Sequence, residues 1–130
     1  MDTKALYERG LKLRKQMFGD EAVEQRMQAF GEFGAPLQHI VNAYVYGEIW
    51  SRPGLSVAMR SLIMIGIAAA SNHPHELKVH LRGALANGCT LDEIREVLLL
   101  IAMYCGVPAS NDAHRAVMEV AGDAANQVGP

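Results

Sequence analysis

Val57-Ala58-Met59-Arg60-Ser61-Leu62-Ile63-Met64-Ile65-Gly66-Ile67-Ala68-Ala69-Ala70-Ser71 is the stretch that decides the fold. It is apolar around almost the whole helical circumference, with Arg60 as its one charge, and Ser56 in front of it suits an N-cap. A helix without a polar face belongs at the centre of a bundle or at a subunit interface. The charge-free run from Ser61 to Asn72 is far shorter than the ~20 residues a bilayer span requires.

Downstream, Pro74 suits the first turn of a second helix and Gly88 its C-terminal end. Thr90 and Glu93 form a capping box for Leu91 to Cys105, whose expected buried face is Leu91, Ile94, Val97, Leu98, Ile101, Ala102 and Cys105. Leu98, Leu99 and Leu100 point three ways from that helix, a further sign of subunit contacts. Gly106 ends it, and Pro108 opens a last helix that loses its pattern after Ala125. Upstream, Tyr7, Leu11, Arg14 and Phe18 recur at helical spacing through Thr3 to Phe18, and Gly19 closes that helix. Another helix begins at Asp20 and is expected to break at Gly34-Ala35-Pro36. Leu37 to Trp50 resumes the period through Ile40, Val41, Tyr44 and Val45, and Ser51-Arg52-Pro53-Gly54 reads as a loop. No alternating strand pattern occurs. The expected fold is all-α, a bundle of about six helices forming one domain over 1–130, with residues 1–4 and 126–130 as frayed ends.

The chain has 130 residues, half of them apolar and a fifth charged, which places it among ordinary globular sequences rather than disordered ones. A net charge of −2 argues against nucleic acid or an anionic membrane as partner. Two cysteines, neither in a CxxC, do not make a disulfide framework, and the N-terminus has no signal-peptide core. The expected location is the cytoplasm.

The formal charges between residues 34 and 88 are Glu48, Arg52, Arg60, Glu76, Lys78 and Arg82, accompanied by four of the five histidines. Charges in so apolar a stretch sit at the surface or pair inside a pocket, because burying them alone is costly. Glu76 and His80 are four apart, on one helical face. A carboxylate beside an imidazole favours its protonated form and fixes its orientation, which suits a general acid. A surface pair has the same spacing. Arg52, Arg60 and Arg82 offer guanidinium forks that match carboxylates.

Metal chemistry is not expected: His75 and His80 are five apart, ~140° round a helix, and cannot share an ion. Cys105 reads as a small core hydrophobe, and nothing near Cys89 would activate it.

Gly47-Glu48-Ile49-Trp50-Ser51-Arg52-Pro53-Gly54-Leu55 resembles the carboxymuconolactone decarboxylase family. The likeness continues in Met59-Arg60-Ser61-Leu62, His80-Leu81-Arg82-Gly83-Ala84, Asn87-Gly88, Asp92 to Leu99, and Tyr104-Cys105-Gly106-Val107-Pro108-Ala109. It covers about Tyr7 to Val120. The resemblance implies an alkylhydroperoxidase D-like helical fold and a homo-oligomer, a trimer or hexamer. The peroxidase-like branch needs C-x-x-C-x-x-x-H; with the histidine at His80, the cysteine positions hold His73 and Glu76, so that dithiol cycle is closed to this chain.

The decarboxylase branch converts 4-carboxymuconolactone to 3-oxoadipate enol-lactone and carbon dioxide, without cofactor, in protocatechuate catabolism (the β-ketoadipate pathway). The resemblance implies His80 as the acid and Arg60 and Arg82 as the grip on the small lactone carboxylate, with Arg52 and Trp50 beside them and Glu76 in support. Glu48 would orient His80 or crowd the departing carboxylate. Alternatives are a non-catalytic binder of small acids and a lyase or isomerase acting on another lactone. Tyr46, Leu100, Ser110, Asp112 and the uncharged 56–59 segment depart from the family pattern and bear on the substrate.

Overall fold

The computed structural model describes residues 1–127, and residues 128–130 of the expected C-terminal frayed end lie outside them. The described chain is helical: α1 (Thr3–Phe18), α2 (Asp20–Gln28), α3 (Gly31–Ile40), a π-helical segment (Val41–Trp50), α4 (Val57–Ala70), α5 (Pro74–Ala86), α6 (Leu91–Cys105), α7 (Val107–Ala121) and a 3₁₀ segment (Gly122–Gln127). The all-α expectation holds. Seven α-helices replace the expected six or so, and they gather into two compact units, Met1–Ser56 and Val57–Pro130.

In the first unit, the Asp2 side chain accepts from the Ala5 N–H at 2.7 Å, so residues 3–4 are capped helix rather than a frayed end. Gly19 ends α1 at φ 91°, a left-handed value that glycine takes without strain. The expected break at Gly34-Ala35-Pro36 is absent. The helix instead breaks before Gly31, at φ 57°, and α3 runs through Pro36. The proline removes one N–H whose acceptor would be the Glu32 carbonyl; Glu32, Ala35 and Pro36 are all exposed, so water can fill the gap.

The segment Val41–Trp50 buries Asn42, Ala43, Tyr46, Gly47 and Trp50, and leaves Tyr44, Val45 and Ile49 exposed, as is Ile40 just before it. The apolar period through Ile40, Tyr44 and Val45 therefore marks the outer face, not the core. The reason lies in α1. Its backbone crosses the π-helical segment at Gly10 and Gly47, where a β-carbon on Gly10 would fall 1.6 Å from the Asn42 carbonyl oxygen. Arg9 donates to the Gly47 carbonyl from Nε (2.9 Å) and Nη2 (2.6 Å). Arg14, 6% exposed, donates to Gln38 Oε1 and Asn42 Oδ1 at 2.9 and 3.0 Å and lies over the Tyr46 ring. Small and polar residues are selected on this face because it meets backbone and a buried guanidinium.

The second unit has the expected apolar core. Ile65 from α4, Leu77 and Leu81 from α5, and Ile94 and Leu98 from α6 bury against Ala113 and Ala116 of α7. Each fully buried aliphatic side chain contributes roughly 1.5–3 kcal/mol. The Thr90–Glu93 capping box forms with both reciprocal bonds, and Asn87 with Gly88 (φ 98°) closes α5. Gly106, at φ 102°, separates α6 from α7. The α4 helix buries Ser61, Ile65, Ala68 and Ala69, yet exposes Met59, Ile63 and Ile67 along one stripe.

One expectation for α6 needs revision. Cys105 is exposed, because the last turn of α6 extends past the packed core; Met103 and Tyr104 beside it are 81% and 87% exposed. Cys89 is the buried thiol: it donates to the Ala58 carbonyl at 3.4 Å, and burial, reinforced by Glu93, pushes its pKa up. No described helix is long and apolar enough to cross a membrane.

Candidate active site

The α5 helix sets the central group. Asn72 takes φ 58°, a left-handed value that asparagine tolerates, and Pro74 then starts α5. The His73 carbonyl accepts from Leu77 N–H at 2.9 Å, closing the first turn. Leu77 and Leu81 anchor the helix in the core, and this register carries His80 inward with them: it is 4% exposed, between Val79 and Leu81, which are buried too. Glu76, one turn earlier, stays at the surface, with its Oε2 3.8 Å from His80 Nε2. The expected pair thus forms, and it is asymmetric: a buried imidazole with a solvated carboxylate at its outer nitrogen. That arrangement sets a negative charge beside the outer imidazole nitrogen at ion-pair rather than hydrogen-bond distance.

The arginines differ. Arg60 on α4 is half-buried with its Nε shielded from water, whereas Arg82 on α5 is exposed. One position along α4 is a group that sequence reasoning missed. Ser61 is 1% exposed, and its hydroxyl has no hydrogen-bond partner among the described residues. Ser71 and Ser110, by contrast, donate to the Ile67 and Leu98 carbonyls. The available signal was a serine inside a helix otherwise made of apolar residues and one arginine.

The remaining expected residues belong to the first unit. Glu48 is half-buried and its Oε1 lies 3.6 Å from Arg52 Nη1, an ion pair one helical turn apart. Trp50 is buried, with its ring 5.6 Å from that of Tyr46. Among the described residues no cluster of His, Cys, Asp or Glu could hold a metal ion.

The sequence profile of the carboxymuconolactone decarboxylase family matches residues 35–119, a span that holds Glu48, Arg60, Glu76, His80 and Arg82. The chain belongs to this family. It is 36% identical to 4-carboxymuconolactone decarboxylase of Acinetobacter baylyi, covering 92% of this chain and 90% of that protein. It is 39% identical to nitrosuccinic acid decarboxylase of Metarhizium robertsii, over 83% of this chain and 76% of the relative. An uncharacterized protein of Methanocaldococcus jannaschii is 27% identical over 79% of this chain and 89% of its own length. The branch is the decarboxylase one, and the protein is a carboxy-lyase.

Proposed function

We propose that this carboxy-lyase acts on 4-carboxymuconolactone or a close lactone acid, giving 3-oxoadipate enol-lactone and carbon dioxide without a cofactor, as a step of protocatechuate catabolism. The observation that carries this reading is the buried His80 with the Glu76 carboxylate 3.8 Å from its Nε2.

The chemistry needs few groups. The C–C bond to the ring carboxylate breaks, and its electron pair passes through the ring C=C into the lactone carbonyl as carbon dioxide leaves. A nearby cation lowers the energy of the resulting dienolate, a role for Arg60. His80 Nε2–H then gives its proton to the carbon alpha to the carbonyl, the carbonyl re-forms, and the imidazole regains a proton from solvent with Glu76 holding it. Arg82, exposed, suits the substrate's second carboxylate.

A second reading has support in the 39% identity to the nitrosuccinic acid decarboxylase. In nitrosuccinate the carboxylate beside the nitro group leaves and the nitro oxygens take the electrons, so the same acid and cations serve. Parallel assays of carbon dioxide release from 4-carboxymuconolactone and from 2-nitrosuccinate decide between the two. Turnover of the lactone at a far higher kcat/KM is expected, and turnover of neither removes both readings.

We also propose a homo-oligomer, a trimer or hexamer, on the strength of the exposed Met59, Ile63 and Ile67 stripe of α4 and the exposed Leu99, Leu100, Met103 and Tyr104 of α6.

A further inference from the structure

The last carbonyls of a helical segment have no N–H partner within it and need donors from elsewhere. At the end of Val41–Trp50, side chains supply two of them. Ser51 Oγ donates to the Tyr46 carbonyl at 2.7 Å. The Gly47 carbonyl takes both Nε and Nη2 of Arg9, which comes from α1, 38 residues earlier. Two bonds from one planar guanidinium fix a direction as well as a distance, and its charge suits the C-terminal end of a helical segment. The backbones touch there too: a β-carbon on Gly47 would fall on the Leu6 carbonyl oxygen, as one on Gly10 falls on that of Asn42.

Glu48 follows Gly47 directly. Its contact with Arg52 holds it loosely, because 3.6 Å is beyond hydrogen-bond distance and both side chains are solvated. The carboxylate is therefore placed chiefly by its backbone, and Arg9 is what ties that backbone to α1. π-helical turns are rare and are frequent at functional sites. Arg9 itself is exposed, so replacing it takes nothing from the buried core.

We infer that Arg9 is a positioning residue for Glu48, holding through the Gly47 carbonyl the turn from which that carboxylate meets the substrate. The inference rests on the reading in which Glu48 takes part in decarboxylation, as the family resemblance implies.

A double-mutant cycle of Arg9→Met and Glu48→Gln in the full chain tests this, with Arg9→Lys beside it. The readout is steady-state decarboxylation of 4-carboxymuconolactone, or of 2-nitrosuccinate if the parent prefers it. Arg9→Met should lower kcat by about 10–10², the range that a small misplacement of a reacting group costs. KM should stay within about threefold of the parent. Arg9→Lys keeps the charge and one donor, and should recover part of the loss. In the Glu48→Gln background, Arg9→Met should change kcat by less than about twofold, because the group it positions is already gone. A kcat for Arg9→Met above about half the parental value overturns the inference. So does an equal loss in both backgrounds, which would make Arg9 a support of the fold at large. Parental kcat in Glu48→Gln overturns it too, and leaves the decarboxylation standing. Trp50, the chain's single tryptophan, ends the same turn and reads the clamp without substrate. Arg9→Met should move its emission to longer wavelength, and unchanged emission overturns the inference. A parent protein that turns over neither substrate fails the functional reading instead, and Trp50 emission then decides on the clamp.

Discussion

Glu76 Oε2 stands 3.8 Å from His80 Nε2, with the imidazole buried and the carboxylate open to solvent. A proton on Nε2 would lie beside that carboxylate, on the solvent side of the ring. If this is the proton given to the dienolate, His80→Gln should lower kcat by about 10²–10⁴, the usual worth of a positioned acid, with KM little changed. Glu76→Gln should lower kcat less. Steady-state kinetics check both, and a His80→Gln enzyme that keeps more than about half the parental kcat returns His80 to a structural role.

The two arginines should separate by measurement. Arg82 is exposed, so Arg82→Ala should raise KM without moving the urea midpoint. Arg60 is half-buried, so Arg60→Ala should lower kcat/KM and also cost stability. A lost charge-assisted contact is worth about 2–4 kcal/mol in kcat/KM. Unchanged kinetics in both variants would show that neither cation touches the substrate. In the same series, Glu48→Gln distinguishes a carboxylate used in the reaction from one that only holds Arg52.

Ser61→Ala should leave the unfolding free energy unchanged or raise it by about 1–3 kcal/mol, because the buried hydroxyl it removes has no partner among the described residues to lose. Urea unfolding measures this. A loss of stability would show that the hydroxyl is satisfied in solution, for instance by an internal water.

At Gly10 the sign is the opposite. A β-carbon there meets the Asn42 carbonyl oxygen and the Gly47 nitrogen, both backbone atoms that cannot move aside singly. Gly10→Ala should cost about 3 kcal/mol or more, while Gly54→Ala, with nothing within 4 Å, should stay within about 0.5 kcal/mol.

For assembly, sedimentation at micromolar concentration should give a trimer or hexamer. Ile63→Glu places a charge in the centre of the exposed α4 stripe and should shift the mass towards monomer. A parent protein that sediments as a monomer removes the assembly proposal.

Much of the fold was legible because local signals agreed with packing. The Thr90–Glu93 box, the Gly19 and Gly106 stops and the Glu76–His80 spacing all depend on neighbours within one helical turn or so, and all appear in the structure. The failures concern contacts between residues far apart in sequence. The period through Ile40, Val41, Tyr44 and Val45 does not say which face turns inward; the opposite side is buried, since Gly10 and Arg14, some thirty residues upstream, demand small and polar neighbours. Cys105 has an inward-facing position on α6 and is exposed only because the helix outruns its core. Whether Arg60 or Arg82 is shielded from water depends on tertiary packing too, which spacing does not encode.

The Arg9–Gly47 clamp bears on how small an autonomous piece of this enzyme can be. The family profile begins at residue 35, so α1 lies outside it, yet α1 supplies the donor that satisfies the Gly47 carbonyl beside Glu48. A chain trimmed to residues 35–119 would retain every residue of the family signature and lose that donor. The turn holding Glu48 would then exchange its amide hydrogens with water at rates close to those of an open helix end. The family segment is in this sense a borrower of order: its recognisable residues are its own, and part of their rigidity is inherited from a preceding helix the signature does not include.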